Sequence, residues 1–267
     1  MITAPGAPSP IAALPNLRDL GGWAAQTGTV RSGMLFRSAD FSGLTVGDIA
    51  ALALLGLRTI YDLRSAGERA AVPDPALPGV GVVHVDVLAS AAQAVPANIV
   101  EVFANPAAVA ATTEALGDGK AAALIVRAYR DFVSLDSAHA GYRTLFRGLL
   151  GEHPQPALFH CAHGKDRTGW AAAAFLLLMG VGRDDVYHDY LLTNERLVPA
   201  FAPVFDAFAA AGGDPELLRP VFGVDESYLD AALGEVDETF GGIGGYFAAG
   251  LGIDETEQER LRRLYLQ

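Results

Sequence analysis

The chain has 267 residues, of which 51% are hydrophobic and only 19% are charged, and its formal net charge is −12. This length can bury one large core, and no linker divides it, so we expect a single domain over residues 14–267. The acidic balance argues against a nucleic-acid partner and against constitutive binding to anionic membranes, and no apolar run has the length of about 18 residues that stable membrane insertion needs.

Residues 1–13 are predicted to be a flexible leader. Residues 1–15 contain four prolines and no lysine or arginine, so they do not match a secretory signal. A single cysteine, Cys161, excludes an internal disulfide and is compatible with a reducing cytoplasm. We therefore expect a cytoplasmic protein, with export that uses no signal as the open alternative.

Strands and helices are predicted to alternate after the leader, which favours an α/β fold with a largely parallel central sheet flanked by helices. The helix starts carry capping-box patterns at Thr45 and Ser65. The predicted elements are extended segments at 14–22 and 30–38, strands at 57–63 and 80–87, and helices at 45–55 and 65–73.

The stretch 88–132 is predicted to be a helical insertion, because it is rich in alanine and its helical segments, 99–105 and 121–132, are separated by proline and glycine. After it the pattern becomes almost entirely helical, with one short apolar strand before Cys161. The predicted helices of this C-terminal part are 139–150, 170–179, 184–197, 198–211, 214–219, 226–239 and 255–266.

The stretch from His160 to Gly169 contains Cys161 and, six positions later, Arg167. Apolar runs on both sides predict a strand, a tight loop and a buried helix. The backbone N–H groups of such a loop and the helix dipole form an anion site, which favours the thiolate of Cys161. The planar guanidinium of Arg167 can hold two oxygens of that anion. A thiolate facing a phosphate-sized site predicts phosphoryl transfer through a phosphocysteine intermediate.

This stretch resembles the catalytic loop of the atypical bacterial tyrosine/lipid phosphatases of the mycobacterial phosphatase B type. Further segments resemble that family's motifs in the same order, and together they span roughly residues 14 to 265. The matching segments are His160-Cys161-x-x-Gly164-Lys165-Asp166-Arg167-Thr168-Gly169, Asn16-Leu17-Arg18-Asp19-Leu20-Gly21-Gly22, Leu35-Phe36-Arg37-Ser38, Asp62-Leu63-Arg64-Ser65, Tyr190-Leu191-x-x-Asn194 and Gly241-Gly242-x-Gly244-Gly245-Tyr246.

The resemblance implies roles for residues beside the nucleophile. Thr168 would donate its hydroxyl hydrogen to the sulfur of Cys161 and ease its departure in the second step. His160 is expected to orient the nucleophile by hydrogen bonding, with proton transfer as the alternative role. The insertion 88–132 would form a lid over the site, although the residues themselves are equally compatible with ordinary core packing.

The phosphate is expected to contact the loop residues Ala162, His163, Gly164 and Lys165. In the phosphatase family that the loop resembles, a lysine at this position accompanies activity on lipid phosphates. Lys165 would therefore reach a second phosphate of the substrate or the charge that develops during the reaction. The alternative for Lys165 is a solvated loop charge. His163 departs from the apolar residue that the family pattern leads us to expect, and it would narrow the pocket or add charge below about pH 6.5.

Departure of the leaving group requires a general acid, and two aspartates are candidates. Asp166 lies inside the loop beside the phosphate, whose charge favours the protonated carboxyl, so we expect the role there. Asp86 is the alternative, because it lies at the end of a predicted strand and so at the carboxyl edge of the sheet.

Three further residues are predicted to support the site. Arg64 also follows a strand, and it would either support the phosphate loop or form a salt bridge with Glu68 at the start of the next helix. Arg18 and Asp19 have the same ambiguity, with Asp19 predicted to brace loop backbone by hydrogen bonds.

We expect no cofactor. Metal binding by His160, Cys161 and His163 is disfavoured, because neighbouring ligands splay apart and the chemistry requires a free thiolate.

The predicted function is hydrolysis of phosphotyrosine, extending to phosphoserine/threonine and phosphoinositides, with inhibition by phosphate or vanadate. A rhodanese-like sulfurtransferase and a non-catalytic phospho-ligand-binding module are the alternatives.

Overall fold

The computed structural model describes residues 4–7, 11, 13–91, 106–151 and 156–267. Strands and helices alternate through its first half and helices dominate the second, as predicted. The strands are β1 (Arg18–Asp19), β2 (Ala24–Ala25), β3 (Gly28–Thr29), β4 (Leu35–Ser38), β5 (Thr59–Asp62), β6 (Gly81–His84) and β7 (Ala157–His160).

The helices cover both faces of the central sheet and form most of the C-terminal part. They are α1 (Val46–Ala53), α2 (Ala66–Ala71), α3 (Pro106–Leu116), α4 (Lys120–Ser134), α5 (Asp136–Gly148), α6 (Asp166–Leu178), α7 (Arg183–Leu197), α8 (Ala202–Ala210), α9 (Arg219–Phe222), α10 (Glu226–Phe240), α11 (Ile243–Gly245) and α12 (Glu255–Tyr265). Two 3₁₀ turns, Val198–Phe201 and Pro215–Leu218, and a π-helical turn, Tyr246–Gly250, connect some of them.

The central sheet has the strand order β1-β4-β7-β5-β6. β4, β7, β5 and β6 run parallel, and β1 pairs antiparallel with β4 at the edge. The predicted α/β class with a largely parallel sheet is therefore confirmed. Since β7 lies between β4 and β5, the residue that follows β7 emerges at the middle of the sheet's carboxyl edge.

Alternating side chains place the sheet between two apolar clusters. Phe36, Ile60 and Leu158 face a smaller cluster that includes residues of α1. Tyr61 and Phe159 face the main core, which contains nearly all of α6 and parts of α4, α5 and α10. Because α6 is buried on all sides, its apolar sequence shows no amphipathic stripe.

The capping boxes predicted at the starts of α1 and α2 are both present. Thr45 and Asp48 exchange side-chain to backbone hydrogen bonds, and so do Ser65 and Glu68. The predicted helix 198–211 divides into a 3₁₀ turn and α8. Pro203 lies in the first turn of α8 and has no N–H to continue the preceding turn.

The insertion is helical where the structure describes it, since α3 and α4 occupy 106–116 and 120–134. The helix predicted at 99–105 lies outside the described residues. α3 packs in a small apolar cluster with α8 and α9, whereas α4 packs along α10. Lid behaviour of this region stays a prediction.

The described part of the predicted leader contacts the rest of the chain. Ile11 is buried in the smaller cluster. The Ala7 carbonyl accepts a hydrogen bond of 3.4 Å from Arg196. The flexibility predicted for residues 1–13 stays a prediction.

Among the described residues, no helix has both the length and the apolar character that crossing a membrane requires.

Candidate active site

Cys161 directly follows β7 and begins the loop that leads into α6 at Asp166. Backbone hydrogen bonds fix both flanks of this loop. The His160 carbonyl accepts from the Leu63 amide at 2.8 Å, and the Ala162 carbonyl accepts from the Asp40 amide at 3.1 Å. The sulfur is thereby held at the centre of the carboxyl edge of the sheet, and the residue is 3% exposed.

Gly164 occupies a loop position that only glycine can take. Its φ is 64°, and a Cβ atom would stand 2.1 Å from the carbonyl oxygen of Ser38. Its own carbonyl accepts hydrogen bonds from Asn16 at 2.7 Å and from Arg37 at 2.9 Å. These contacts tie the turn of the loop to β4 and to the segment before β1.

A buried group of charges, which we call the buried brace, lies behind Gly164 and consists of Arg18, Arg37 and Asp189. The Asp189 carboxylate accepts from Arg18 Nε at 2.8 Å and from Arg37 Nη1 at 2.9 Å. Burial alone would raise the pKa of Asp189, but the two arginines outweigh it and lower that pKa. Burial and the charge of Arg18 lower the pKa of Arg37 to about 10, so it stays charged at neutral pH. Arg18, which was predicted to support the site, thus donates hydrogen bonds to Asp189 and to Asn16.

Arg167, in the first turn of α6, turns its guanidinium toward the end of β5. Both of its terminal nitrogens donate to the Glu68 carboxylate at 2.7 Å, and Nη1 also lies 3.3 Å from the Leu63 carbonyl. Burial acts to raise the pKa of Glu68, but the hydrogen bonds and charge of Arg167 outweigh it and lower that pKa to about 2. Burial would lower the pKa of Arg167, yet the nearby Cys161 and Glu68 raise it.

The amino end of α6 is open to a ligand anion. Its N-cap residue is Lys165, which makes no side-chain capping hydrogen bond. The first N–H groups of a helix have no partner within the helix, and they carry the positive end of its dipole. With the thiol of Cys161 and the guanidinium of Arg167 at the same end, the geometry suits a tetrahedral oxyanion.

Asp166 lies in a chain of hydrogen bonds that starts in the core. Tyr190 donates to the Tyr129 hydroxyl at 2.6 Å, and Tyr129 donates to Asp166 Oδ1 at 3.2 Å. Lys165 Nζ lies 3.1 Å from the same oxygen. Burial, followed by the charges of Tyr190 and Asp166, raises the pKa of Tyr129 well above its usual value, so the tyrosine remains a donor.

Lys165 is buried, with 3% exposure, so the alternative of a solvated loop charge is wrong. Its ammonium group donates to the Gly223 carbonyl at 2.9 Å, in addition to its contact with Asp166. The loop is thereby connected to the turn that follows α9. A second phosphate would have to compete with Gly223 for this ammonium group.

His160 is fully buried beneath the nucleophile. Its Nδ1 lies 3.3 Å from the Cys161 carbonyl, and its Nε2, which has no hydrogen-bond partner among the described residues, lies 3.4 Å from Asp74 Oδ2. Burial lowers the pKa of His160 despite the neighbouring Asp62 and Asp74. The neutral imidazole fits the predicted orienting role better than proton transfer.

Arg64 does not form the salt bridge with Glu68 that was one of its two predicted roles. It pairs instead with Asp62 and Asp74, because Glu68 is engaged by Arg167. Among the described residues, Asp62, Asp74 and His160 form the one group spaced closely enough to hold a metal ion. The guanidinium of Arg64 already binds both carboxylates, so a cation would have to displace it.

His163 contacts an aromatic side chain outside the loop. Its ring packs edge-on against Phe201, with centroids 5.1 Å apart and an interplanar angle of 83°. Burial, and next the charge of Lys165, lowers the pKa of His163, which disfavours the added positive charge that the sequence left open.

The structure gives different contacts to three predicted residues, Thr168, Asp86 and Asp19. Thr168 has a buried hydroxyl with no hydrogen-bond partner among the described residues, so the implied donation to the sulfur is not made here. Asp86 accepts a hydrogen bond of 3.1 Å from the Leu88 amide just after β6. Asp19 accepts from the amides of Gly21 and Gly33 at 2.8 and 2.6 Å, which confirms that it braces loop backbone.

Sequence reasoning missed several residues that hold the site. Glu68 was read only as a helix cap and as a partner of Arg64. Arg37 and Tyr190 stand inside the quoted motifs but were given no role. Asp189 is one of several acids in α7, and only its burial distinguishes it. Tyr129 carried no signal beyond its place in an apolar helix face.

Comparisons with known proteins identify the family of this chain. The model of the tyrosine phosphatase family matches residues 9–267. One relative, from Cupriavidus necator, is provisionally named a tyrosine-protein phosphatase. It is 33% identical over 94% of this chain and 85% of its own length. The triple specificity protein phosphatase PtpB of Mycobacterium tuberculosis is 30% identical over 94% of this chain and 96% of its own.

A solved structure, that of TpbA from P. aeruginosa, is 20% identical and aligns over 81% of this chain and 94% of its own, with a TM-score of 0.35. The match of the family model along nearly the whole chain, and the two relatives at 30% identity or more, show what the chain is. The chain belongs to the tyrosine phosphatase family of enzymes.

Proposed function

We propose that the protein hydrolyses phosphotyrosine by a two-step reaction at Cys161. The observation that carries the proposal is the convergence of three groups at the carboxyl edge of the sheet. These are the thiol of Cys161, the uncapped amino end of α6 and the guanidinium fork of Arg167. Together they supply a nucleophile and a site for the phosphoryl oxygens.

In the first step the thiolate of Cys161 attacks phosphorus, and an S–P bond forms as the bond from phosphorus to the tyrosyl oxygen breaks. Asp166 gives its proton to the departing oxygen, so that tyrosine leaves as a neutral phenol. Arg167 and the loop N–H groups bind the equatorial oxygens, whose charge is spread in the transition state.

In the second step water attacks the phosphocysteine and gives a proton to Asp166, and the S–P bond breaks to release inorganic phosphate and the thiolate. Tyr129 and Lys165 contact the same oxygen of Asp166 and hold the carboxyl group in place to accept this proton. Thr168 would donate its free hydroxyl hydrogen to the leaving sulfur.

The role of Asp166 has a direct test against Asp86. Asp166→Asn should lower kcat by about 10²- to 10⁴-fold, the usual contribution of a general acid or base, while KM changes little. Asp86→Asn is the matched control and should retain turnover. Loss of turnover in Asp86→Asn with normal turnover in Asp166→Asn would move the role to Asp86.

Phosphotyrosine is the proposed principal substrate. The thiol of Cys161 is buried at the base of a loop, and a long, flat phosphomonoester can reach it. Phosphoserine/threonine belongs to the same proposal, since the relative PtpB is named a triple specificity protein phosphatase. Phosphoinositides belong to it because the loop containing Lys165 resembles one that accompanies lipid phosphate activity. In this protein a second phosphate would have to draw Lys165 away from Gly223.

The proposal is tested by phosphate release from a phosphotyrosyl peptide, a matched phosphoseryl peptide and a phosphoinositide. We expect release that is fastest from phosphotyrosine, inhibited by vanadate and by phosphate, and abolished in Cys161→Ser. Transfer of sulfur to cyanide without release of phosphate would overturn the proposal in favour of a sulfurtransferase. Binding of the peptides without turnover would favour a binding module.

A further inference from the structure

A small apolar cluster lies beside the catalytic loop and is separate from the main core. We call it the side cluster, and its described members come from α3, α8, α9 and the two 3₁₀ turns. Its buried members are Val109, Phe208, Leu218 and Phe222, and its partly buried members are Leu116, Phe201, Val204, Phe205, Ala211 and Val221.

One ring contact joins the side cluster to the catalytic loop. The His163 ring meets Phe201 edge-on at 5.1 Å between centroids, and Phe201 packs in turn on Phe222 at 4.6 Å. His163 is two residues from Cys161, so Phe201 stands at the border of the phosphate site.

Phe201 has room to contact a ligand. It is only half-buried, as is His163, whereas Phe222 behind it is 4% exposed. It ends a 3₁₀ turn of four residues, Val198–Phe201, which has no side-chain capping hydrogen bond. The position of the Phe201 ring therefore depends on its packing between Phe222 and His163.

We propose that His163 determines substrate specificity by holding the Phe201 ring where it contacts the aryl group of a phosphomonoester. An aromatic ring that is half open beside a phosphate site offers a flat apolar surface to a phenyl group, whereas an alkyl phosphate gains little from it. His163 acts here as a positioning residue and Phe201 as the contact. The inference rests on the proposed phosphatase function and adds how the site would prefer aryl over alkyl phosphates.

The chemistry of position 163 supports this assignment. An edge-on ring contact needs a planar side chain, which imidazole supplies, and burial together with Lys165 lowers the pKa of His163. An alanine at this position would leave Phe201 without its partner on the loop side. Phenylalanine would keep an edge-on contact of similar geometry.

The test compares kcat and KM for phosphotyrosyl and phosphoseryl peptides of the same sequence. His163→Ala should lower the ratio of the two kcat/KM values by about three- to tenfold, the factor that one aromatic pair contributes, chiefly by raising KM for the aryl substrate. His163→Phe should restore the ratio. Phe201→Ala should lower it as much as His163→Ala, and the double variant should lower it no further.

Phe205→Ala is the matched control, because Phe205 packs on Phe222 within the same cluster at 5.7 Å between centroids. It should leave the ratio of the two kcat/KM values unchanged. An unchanged ratio in His163→Ala, or an equal loss for both substrates, would overturn the inference while the phosphatase function stands. Absence of Cys161-dependent release from every substrate would overturn both.

Discussion

Two groups of paired arginine and carboxylate side chains contact the catalytic loop or belong to its end. They differ in how exposed their side chains are. The buried brace of Arg18, Arg37 and Asp189 has side chains that are at most 2% exposed. The second group, which we call the clamp, is the pair of Arg167 and Glu68, with side chains that are 11% and 17% exposed.

The difference shows how one kind of charge pair serves two purposes. In the buried brace Arg37 also donates to the Gly164 carbonyl and Arg18 to the Asp189 carbonyl, so the partners of both guanidinium groups are fixed by the fold. In the clamp both terminal nitrogens of Arg167 donate to Glu68, and a phosphate bound at the loop would share the guanidinium with that carboxylate. We therefore expect changes in the buried brace to act first on stability, and changes in the clamp to act first on catalysis.

The largest effect is expected from Asp189→Asn. It removes the only carboxylate that pairs with Arg18 and Arg37 among the described residues and leaves two buried positive charges uncompensated. The free energy of unfolding should fall by about 3 to 5 kcal/mol, as measured by chemical denaturation. Glu195→Gln, an exposed acid on the same helix, is the control and should change it by less than about 0.5 kcal/mol. Equal effects of the two changes would contradict the structural role of the buried brace.

Arg167→Lys should separate the two groups most clearly. Lysine keeps the positive charge but cannot bind two oxygens through a planar fork, so kcat/KM should fall by about 10²- to 10³-fold, similar to the loss of one preorganised donor. Thermal denaturation should show a far smaller loss of stability than for Asp189→Asn. If Arg167→Lys unfolded as readily as Asp189→Asn, Arg167 would act first on stability, as the buried brace does, and the contrast would fail.

The smallest effect is expected in the acid stability of Glu68→Gln. The pKa of Glu68 is lowered from 4.5 to about 2 in the folded protein, so its pairing stabilises the fold fully above about pH 4.5. That stabilisation is lost as the pH falls from about 4.5 toward 2. Glu68→Gln should flatten the dependence of unfolding free energy on pH in this window.

The control for this prediction is Glu216→Gln, which removes a solvent-exposed pair with Arg219. It should leave the acid slope nearly unchanged, because exposed pairs contribute little. A slope that is the same in wild type and Glu68→Gln would show that the clamp carries no such linkage.

How far the sequence predicts this site depends on the range of each contact. The capping boxes at Thr45 and Ser65 were predicted, because both partners lie within four residues. Cys161 and Arg167 were predicted because a strand, a loop and a helix bring them together locally. The parallel sheet also placed Arg64 at the correct edge.

The missed residues depend on packing between distant segments. Glu68 was assigned to Arg64, four residues away, whereas its partner Arg167 lies 99 residues further along the chain. Asp189 reaches Arg18 and Arg37 only because α7 packs behind the catalytic loop. The requirement for Gly164 likewise arises from the carbonyl of Ser38, on a neighbouring strand.

The measurement that tests the central claim most directly is rapid acid quenching of the reaction with a ³²P-labelled phosphotyrosyl peptide, followed by mapping of the label. A phosphocysteine survives acid, whereas a phosphohistidine at His160 or His163 does not. We predict acid-stable label on the fragment that contains Cys161, formed within one turnover and absent in Cys161→Ser. Label that is lost in acid, or turnover without any labelled protein, would contradict the proposed reaction.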